Sequence, residues 1–487
     1  MRKFLPLLLA VALVAGCGGG SSSSKSGAGS SSPGGATIAP STTPFLLRLN
    51  TAFDSSQWQT FDTLLKKFPD GEKLYSSIAG KGVNFDTDVK PALGPETDLL
   101  ALNGADLNAK TFVGLTQPQD QAKFEALLAK GSGPKPVTKE VAGWQVVADK
   151  AATIARFEAA RSQGGTLADD SEYKEATGDL PSDSLATLYV NGGPLTAAIS
   201  KRAKTGTTGS LPGVGALDWV SGAFTAVDNG LTLDFRLKSG KQVQIQTYTP
   251  ELPAEVPADV VLFVDFKGLD SVLQQIKSSP ALQGQLGQAQ AALGGLLDEV
   301  IALFKNEGAV YVQTGAAGTA YTLVLKVEDT ASAQGTLDKL GTLVGALSQK
   351  PPEQVRVGGT TVEKLSLGTK TSIYYGIVGG KLVITNSEDS IRGLAGNGER
   401  LADSQAWKDA TSAADMPDQV AGILYADVHN LIPLLEKLQA SSSTSSGSTS
   451  KPMSAEAKRN LAALGTVLLY GAVDGDVVTA KGFLSVR

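Results

Sequence analysis

The feature that most constrains this chain is an internal repetition. Val141 to Phe157 lies over Val378 to Leu394 at an offset of 237, which places Gly143 on Gly380, Val146 on Val383 and Ile154 on Ile391. Leu167-Ala168-Asp169, followed by Tyr173, Lys174 and Ala176, lies over Leu401-Ala402-Asp403, followed by Trp407, Lys408 and Ala410, at 234. Leu188-Tyr189 meets Leu424-Tyr425 at 236, and Ala226-Val227-Asp228 meets Ala472-Val473-Asp474 at 246. Unchanged order with a slowly drifting offset is the pattern of tandem duplication with loop insertions, and units of about 200 residues are too long for a solenoid. Pro250, Pro253 and Pro257 mark the join. The expected repeats are residues 45–249 and 250–487, the second lengthened by a Ser-rich loop near 440–452.

Within the repeats a short phrase recurs: Leu47-Arg48-Leu49-Asn50, Leu188-Tyr189-Val190-Asn191, Leu262-Phe263-Val264-Asp265 and Leu424-Tyr425-Ala426-Asp427. Each reads as a strand running into a helix, with Asn50, Asn191, Asp265 and Asp427 as structural helix caps, each contributing about 1 kcal/mol. Helical stripes follow at Leu293 to Phe304 and Leu337 to Leu347, and strands are expected at 231–237, 243–247, 309–314, 321–327, 372–378, 381–385, 467–473 and 477–484. Turns such as Gly379-Gly380 favour hairpins. The expected class is α+β, with mainly antiparallel sheet and helices packed on one side.

The N-terminus carries a second pattern. Arg2 and Lys3 precede an apolar run from Phe4 to Val14, then Leu13-Val14-Ala15-Gly16-Cys17, and Cys17 is the sole cysteine. The run falls short of the roughly 20 residues needed to span a bilayer. It reads as a lipoprotein signal peptide over 1–16 with lipidation at Cys17. Residues 17–44, rich in Gly and Ser, read as a flexible tether. The implied address is the extracytoplasmic face of a bacterial cell membrane, held by palmitate-type acyl chains on Cys17. A net charge of −5 offers no basic excess, so nucleic acid is not an expected partner.

Catalytic chemistry is sparsely represented. His429 is the only histidine and follows Asp427 into a helix, where a surface role is the simpler reading. The close carboxylates Asp86 and Asp88, Asp169 and Asp170, and Asp474 and Asp476 lack calcium-loop spacing and read as turn residues; Asp169 and Asp403 read as caps ahead of Tyr173 and Trp407. No phosphate loop, nucleophile elbow or dinucleotide fingerprint is present. Trp144, Trp219, Trp407, Tyr374 and Tyr375 read as core residues. The expected catalytic, cofactor and metal sites are none, and no cofactor is implied.

Together, the Cys17 motif, the Gly/Ser stretch, the duplicated L-A-D…aromatic-K-x-A phrase and the openings at Asp265 and Asp427 resemble an exported family known from high-GC Gram-positive bacteria as domain of unknown function 3352. The resemblance implies a surface lipoprotein and brings no catalytic residues. The function expected from the sequence is binding or interaction at the cell envelope, without substrate turnover. Its partners would be the membrane, through Cys17, and an envelope protein or lipid ligand. The alternatives are a carrier of an apolar ligand in a helix–sheet cavity and, third, an envelope hydrolase.

Overall fold

Each half of the chain lays its strands in the same spatial order. The computed structural model describes residues 34–80, 82–109, 111–131, 135–193, 217–239, 246–278, 294–315, 318–348, 350–367, 371–445 and 453–487. The first half contributes β1 (Phe45–Asn50), β2 (Glu96–Ala101), β3 (Val113–Thr116), β4 (Val137–Val141), β5 (Trp144–Ala148), β6 (Ala186–Asn191), β7 (Leu217–Val227) and β8 (Gly230–Ser239). The second contributes β9 (Val260–Phe266), β10 (Gly308–Gly315), β11 (Gly318–Lys326), β12 (Glu353–Val357), β13 (Thr360–Leu367), β14 (Thr371–Val378), β15 (Lys381–Thr385), β16 (Gly422–Asp427), β17 (Leu464–Asp474) and β18 (Val477–Val486).

The strand pairings among the described residues are antiparallel. The first half reads β4-β5-β3-β2-β1-β6-β7-β8 across the sheet. The second reads β14-β15-β11-β10-β9-β16-β17, the same order element for element. A hairpin without counterpart among the described residues of the first half, β12–β13, extends the second sheet beyond β14.

The chain forms two compact units: one holds residues 244–473, the other 22–243 together with 474–487. The sequence reading runs the second repeat to Arg487. The final strand instead belongs to the N-terminal unit, because β18 pairs with β8 from Val477 opposite Lys238 to Ser485 opposite Gly230. Lys481 meets Asp234 at 3.4 Å within this ladder.

Among the described residues the α-helices are α1 (Ser56–Leu65), α2 (Glu72–Ala79), α3 (Gly104–Ala109), α4 (Gln121–Ala129), α5 (Ala151–Gly164), α6 (Ser171–Thr177), α7 (Leu269–Ser278), α8 (Leu296–Ala302), α9 (Thr330–Ser348), α10 (Glu388–Ala395), α11 (Gln405–Ala413), α12 (Val428–Ser445) and α13 (Ala455–Ala462). The fold is α+β. In the C-terminal unit, however, helices cover both faces of the sheet. Ala333 and Leu337 of α9 pack with Tyr375, Leu382 and Leu325, whereas Tyr374, on the opposite face of β14, donates its hydroxyl to Glu388 of α10 at 3.1 Å. Neighbouring strand residues point to opposite faces, and both tyrosines are buried, so one covered face is not enough. The Ser-rich stretch expected as loop from 440 is helix through Ser445, and 446–452 lies outside the described residues. No helix among the described residues is long and apolar enough to cross a membrane.

The structure also shortens the expected tether. Residues 1–33, Cys17 among them, lie outside the described residues. Gly34–Thr37 forms a 3₁₀ turn, and Ala36, Ile38 and Ala39 are buried in the core with Leu46, Leu100 and Phe157. The backbone N–H of Leu167 donates to the Ala39 carbonyl at 2.9 Å, and Pro40 bridges Thr166. In the C-terminal unit Leu252–Ala254 forms the corresponding 3₁₀ turn, Leu401 N–H donates to the Val256 carbonyl at 3.0 Å, and Pro257 bridges Arg400. Residues 34–43 are therefore the leading segment of the first unit. Burial of Ala36, Ile38 and Ala39 outweighs the flexibility suggested by a small-residue composition.

Hairpin turns mark the correspondence in finer detail. Val378 opposes Lys381 around Gly379 and Gly380, both at positive φ, while Val141 opposes Trp144 around Ala142 (φ 51°) and Gly143 (φ 81°). A side chain at left-handed φ costs roughly 1–2 kcal/mol. Ala142→Gly is accordingly expected to stabilise the N-terminal unit by about 1 kcal/mol in a denaturant titration, and an unchanged midpoint would contradict this reading.

Candidate functional site

The charged side chains that the two sheets bury gather at the leading segments. In the N-terminal unit Glu96, the first residue of β2, accepts from the Gly35 N–H at 2.7 Å through Oε1. Arg48 of β1 approaches the same oxygen with Nε at 3.3 Å and Asp98 Oδ1 at 3.9 Å, and its Nη2 donates to the Tyr173 hydroxyl at 3.2 Å. The glycines are required by this closeness: a Cβ on Gly35 would sit 1.8 Å from Asp98 Oδ2, and one on Gly34 would sit 2.0 Å from Glu96 Oε1. Asp98 is 1% exposed. Burial, reinforced by the Glu96 charge and opposed by Arg48, pushes its carboxyl well above the usual range.

The C-terminal unit repeats the device with different partners. Glu307, immediately ahead of β10, accepts from the backbone N–H groups of Glu251 at 2.6 Å and Leu252 at 2.8 Å. Its Oε2 lies 3.2 Å from Lys326 Nζ, which also pairs with Glu251. Lys381 pairs with Glu255. Beside them the Tyr248 hydroxyl donates to Asp265 Oδ1 at 2.5 Å. Burial first, then the charge of Glu307, raises the Asp265 carboxyl well above its ordinary value, and burial together with the Asp265 charge raises the Tyr248 phenol.

Next to this network lies a cleft of about 340 Å³, lined by Tyr248, Thr249, Glu251, Lys267, Asn306, Glu307, Lys326, Val327 and Glu328. Lys267 Nζ stands 6.0 Å from the centre of the Tyr248 ring. Charges of both signs line the walls, so the chemistry suits a polar ligand better than an acyl chain. Among the described residues no group of three or more His, Cys, Asp or Glu is placed to hold a metal ion.

The residues singled out from the sequence fall in several places. Asp427 accepts from the Asn430 N–H at 3.2 Å at the start of α12. Asn191 accepts from Gly193 N–H at 3.1 Å. Asn50 caps no helix: its Oδ1 accepts from Ala52 N–H at 3.0 Å, and α1 starts later, behind Ser55. Asp265 is not a cap either. The strand runs one residue further, to Phe266, and the alternation of β9 turns Asp265 into the interior. Asp169 and Asp403 each end a 3₁₀ turn, while the following residues do the capping: Asp170 accepts from Tyr173 N–H at 2.8 Å and Ser404 from Trp407 N–H at 3.3 Å. Lys174 and Lys408 donate to the carbonyls of Asp169 and Asp403 at 3.4 and 2.7 Å. Asp88 accepts from Asn84 N–H and Lys130, and Asp476 lies 3.3 Å from Lys238. His429 is exposed in the first turn of α12.

Sequence reading did not single out Glu96, Asp98, Glu307 or Lys326, nor Arg48 as a site residue. The available signal was a charge at an inward position of an otherwise apolar strand, as in Phe45-Leu46-Leu47-Arg48 and Thr97-Asp98-Leu99-Leu100.

The family described as "Protein of unknown function (DUF3352)" matches residues 144–459, well over half of the chain. The chain belongs to this family. No curated protein matches the DUF3352 chain. Among solved structures, crystal form III of TP0453 is similar over 44% of this chain and 88% of that one, at 8% identity and a TM-score of 0.25. Crystal form IV covers 49% and 94%, at 10% identity and 0.24. Likeness at this level carries no argument for the DUF3352 fold or function.

Two expectations follow from the clusters. Glu307→Ala strands two backbone N–H groups and removes a partner of Lys326, so it is expected to cost about 3 kcal/mol, with the Leu252 amide losing protection in hydrogen exchange. Glu96→Ala is expected to expose the Gly35 amide in the same way. The second expectation concerns pH. A carboxyl whose folded-state pKa is raised favours the folded chain below the unfolded value of about 4, and the preference is lost as pH climbs through the raised value. Asp265→Asn keeps an acceptor for Tyr248 and does not ionise, so it is expected to melt above the wild type at about pH 8, with the gap closing as pH falls toward about 4. Coincident melting curves across that range would contradict the assigned burial cost.

Proposed function

We propose that this DUF3352 protein is a lipid-anchored extracytoplasmic binding module, tethered through acyl chains on Cys17 and working by interaction at the cell envelope rather than by turnover. We further propose that it arose by tandem duplication, a reading supported by the repeated strand order and by a glutamate that accepts from the backbone of each leading segment. The observation that carries the functional reading is what the buried charges do. Glu96 and Glu307 accept from backbone N–H groups and pair with Arg48 and Lys326, so these two carboxylates are committed to holding the leading segments in place. His429, the one residue with a side-chain pKa ordinarily near neutrality, is exposed and has no nucleophile–base arrangement around it in the described contacts. The polar cleft beside Tyr248 supports a polar partner over the apolar-carrier alternative.

The anchoring is tested by metabolic labelling with a palmitate analogue. The wild type is expected to incorporate label and partition with membranes, and Cys17→Ser to lose both while the body melts at the same temperature. Labelling that persists in Cys17→Ser, or a wild type left unlabelled, would overturn the anchoring.

A further inference from the structure

The second sheet ends differently from the first. The β12–β13 hairpin adds two strands that have no counterpart among the described residues of the N-terminal unit, and β12 becomes the outer edge. Among the described residues no strand pairs with its far side, and no backbone hydrogen bond outside the hairpin engages residues 353–357. An edge with unmet N–H and C=O groups is a template for strand addition, and sheets that avoid pairing blunt it by shortness, charges, proline, a bulge or a covering helix or loop. Here Pro351 and Pro352 precede the strand, while Glu353-Gln354-Val355-Arg356-Val357 runs without a register shift against Thr360–Lys364.

We infer that two copies of this chain associate by antiparallel pairing of β12 with β12 across a two-fold axis at Val355. A two-fold axis normal to the sheet keeps each face on its own side, so residues of like parity oppose one another. Full overlap then sets Val355 on Val355, Glu353 on Val357 and, twice over, Gln354 on Arg356. No like charges meet, and each guanidinium faces an amide oxygen. Gln354 and Arg356 are exposed. Gln354 also lines a polar cleft of about 290 Å³ with Gln334, Asp338 and Glu363, so the neighbouring strand's polar residues meet a polar surface on that face. The outer strand of the other sheet, β4, lacks this match. Its full-overlap two-fold register would set Lys139 on Lys139, and Lys139 is already paired with Glu158 at 2.6 Å. The chain uses edge pairing internally as well, since β18 closes on β8 with Lys481 opposite Asp234. The inference goes beyond the envelope reading and does not depend on acylation at Cys17.

The test is sedimentation of the full chain in detergent micelles over a range of concentrations. A reversible monomer–dimer equilibrium is expected. Gln354→Lys places a lysine opposite Arg356 at two symmetric points and should weaken the dimer about tenfold. Adding Arg356→Glu to Gln354→Lys converts both contacts to opposite charges and should restore it. Both positions are exposed, so the melting temperature should stay unchanged in each variant. As an independent readout, Val355→Cys is expected to give an intermolecular disulfide under mild oxidation beyond anything the wild type forms. A chain that stays monomeric at every concentration, a dimer indifferent to Gln354→Lys, or a Val355→Cys chain without the additional cross-link would overturn the inference.

Discussion

One glutamate in each unit fastens the leading segment to the sheet. Glu96 and Glu307 stand where the second strand of each sheet begins, and each reaches across to the N–H groups of a 3₁₀ turn that the chain laid down much earlier. With that turn in place, the segment behind it donates and accepts along the L-A-D turn, through Ala39 to Leu167 and Val256 to Leu401. The L-A-D turn in turn fixes the short helix whose aromatic residue enters the core. Hydrogen bonds to an ionised acceptor are stronger than neutral ones and costly to lose in the interior.

Beyond this shared fastening the two cores have taken different chemistry. Tyr173 packs edge-on against Tyr189 at 5.1 Å, and Trp407 packs against Tyr425 at 5.5 Å, the same pair in each unit. The neighbour on the opening strand is Arg48 in one and Phe263 in the other: the guanidinium bonds the Tyr173 hydroxyl, and the Phe263 ring lies 6.2 Å from Trp407. The first solution pays desolvation to gain directional contacts, while the second relies on ring packing. Asp98 and Asp265, each buried beside its glutamate, stand on different strands, β2 in one unit and β9 in the other.

The repetition was legible because its most recognisable phrase is structural throughout. Leu167 and Leu401 are fully buried, Ala176 and Ala410 likewise, and the lysines between them bond the turn they follow. The leading segment was not legible, because Gly34-Gly35-Ala36 is as consistent with a tether as with a backbone pressed against two carboxylates. Composition does not distinguish glycine chosen for freedom from glycine chosen for lack of a side chain. Asp265 was misread for a related reason. An acid after an apolar run suggests a helix start, and only the extra residue Phe266 and the register against Ala309 reveal that the strand continues past it. The covering of both faces at Tyr374 and Tyr375 was equally hidden, since adjacent tyrosines in a strand do not say which face meets solvent.

The placement of β18 bears on the order in which the protein is made. Residues 477–486 complete the ladder beside β8, whose own sequence ends nearly half a chain earlier. The first unit to emerge from the ribosome therefore carries an unfinished sheet border until residues 477–486 follow. Its closure waits on a segment far along the chain, so a product cut short before Val477 would keep that border open and available to other nascent polypeptides.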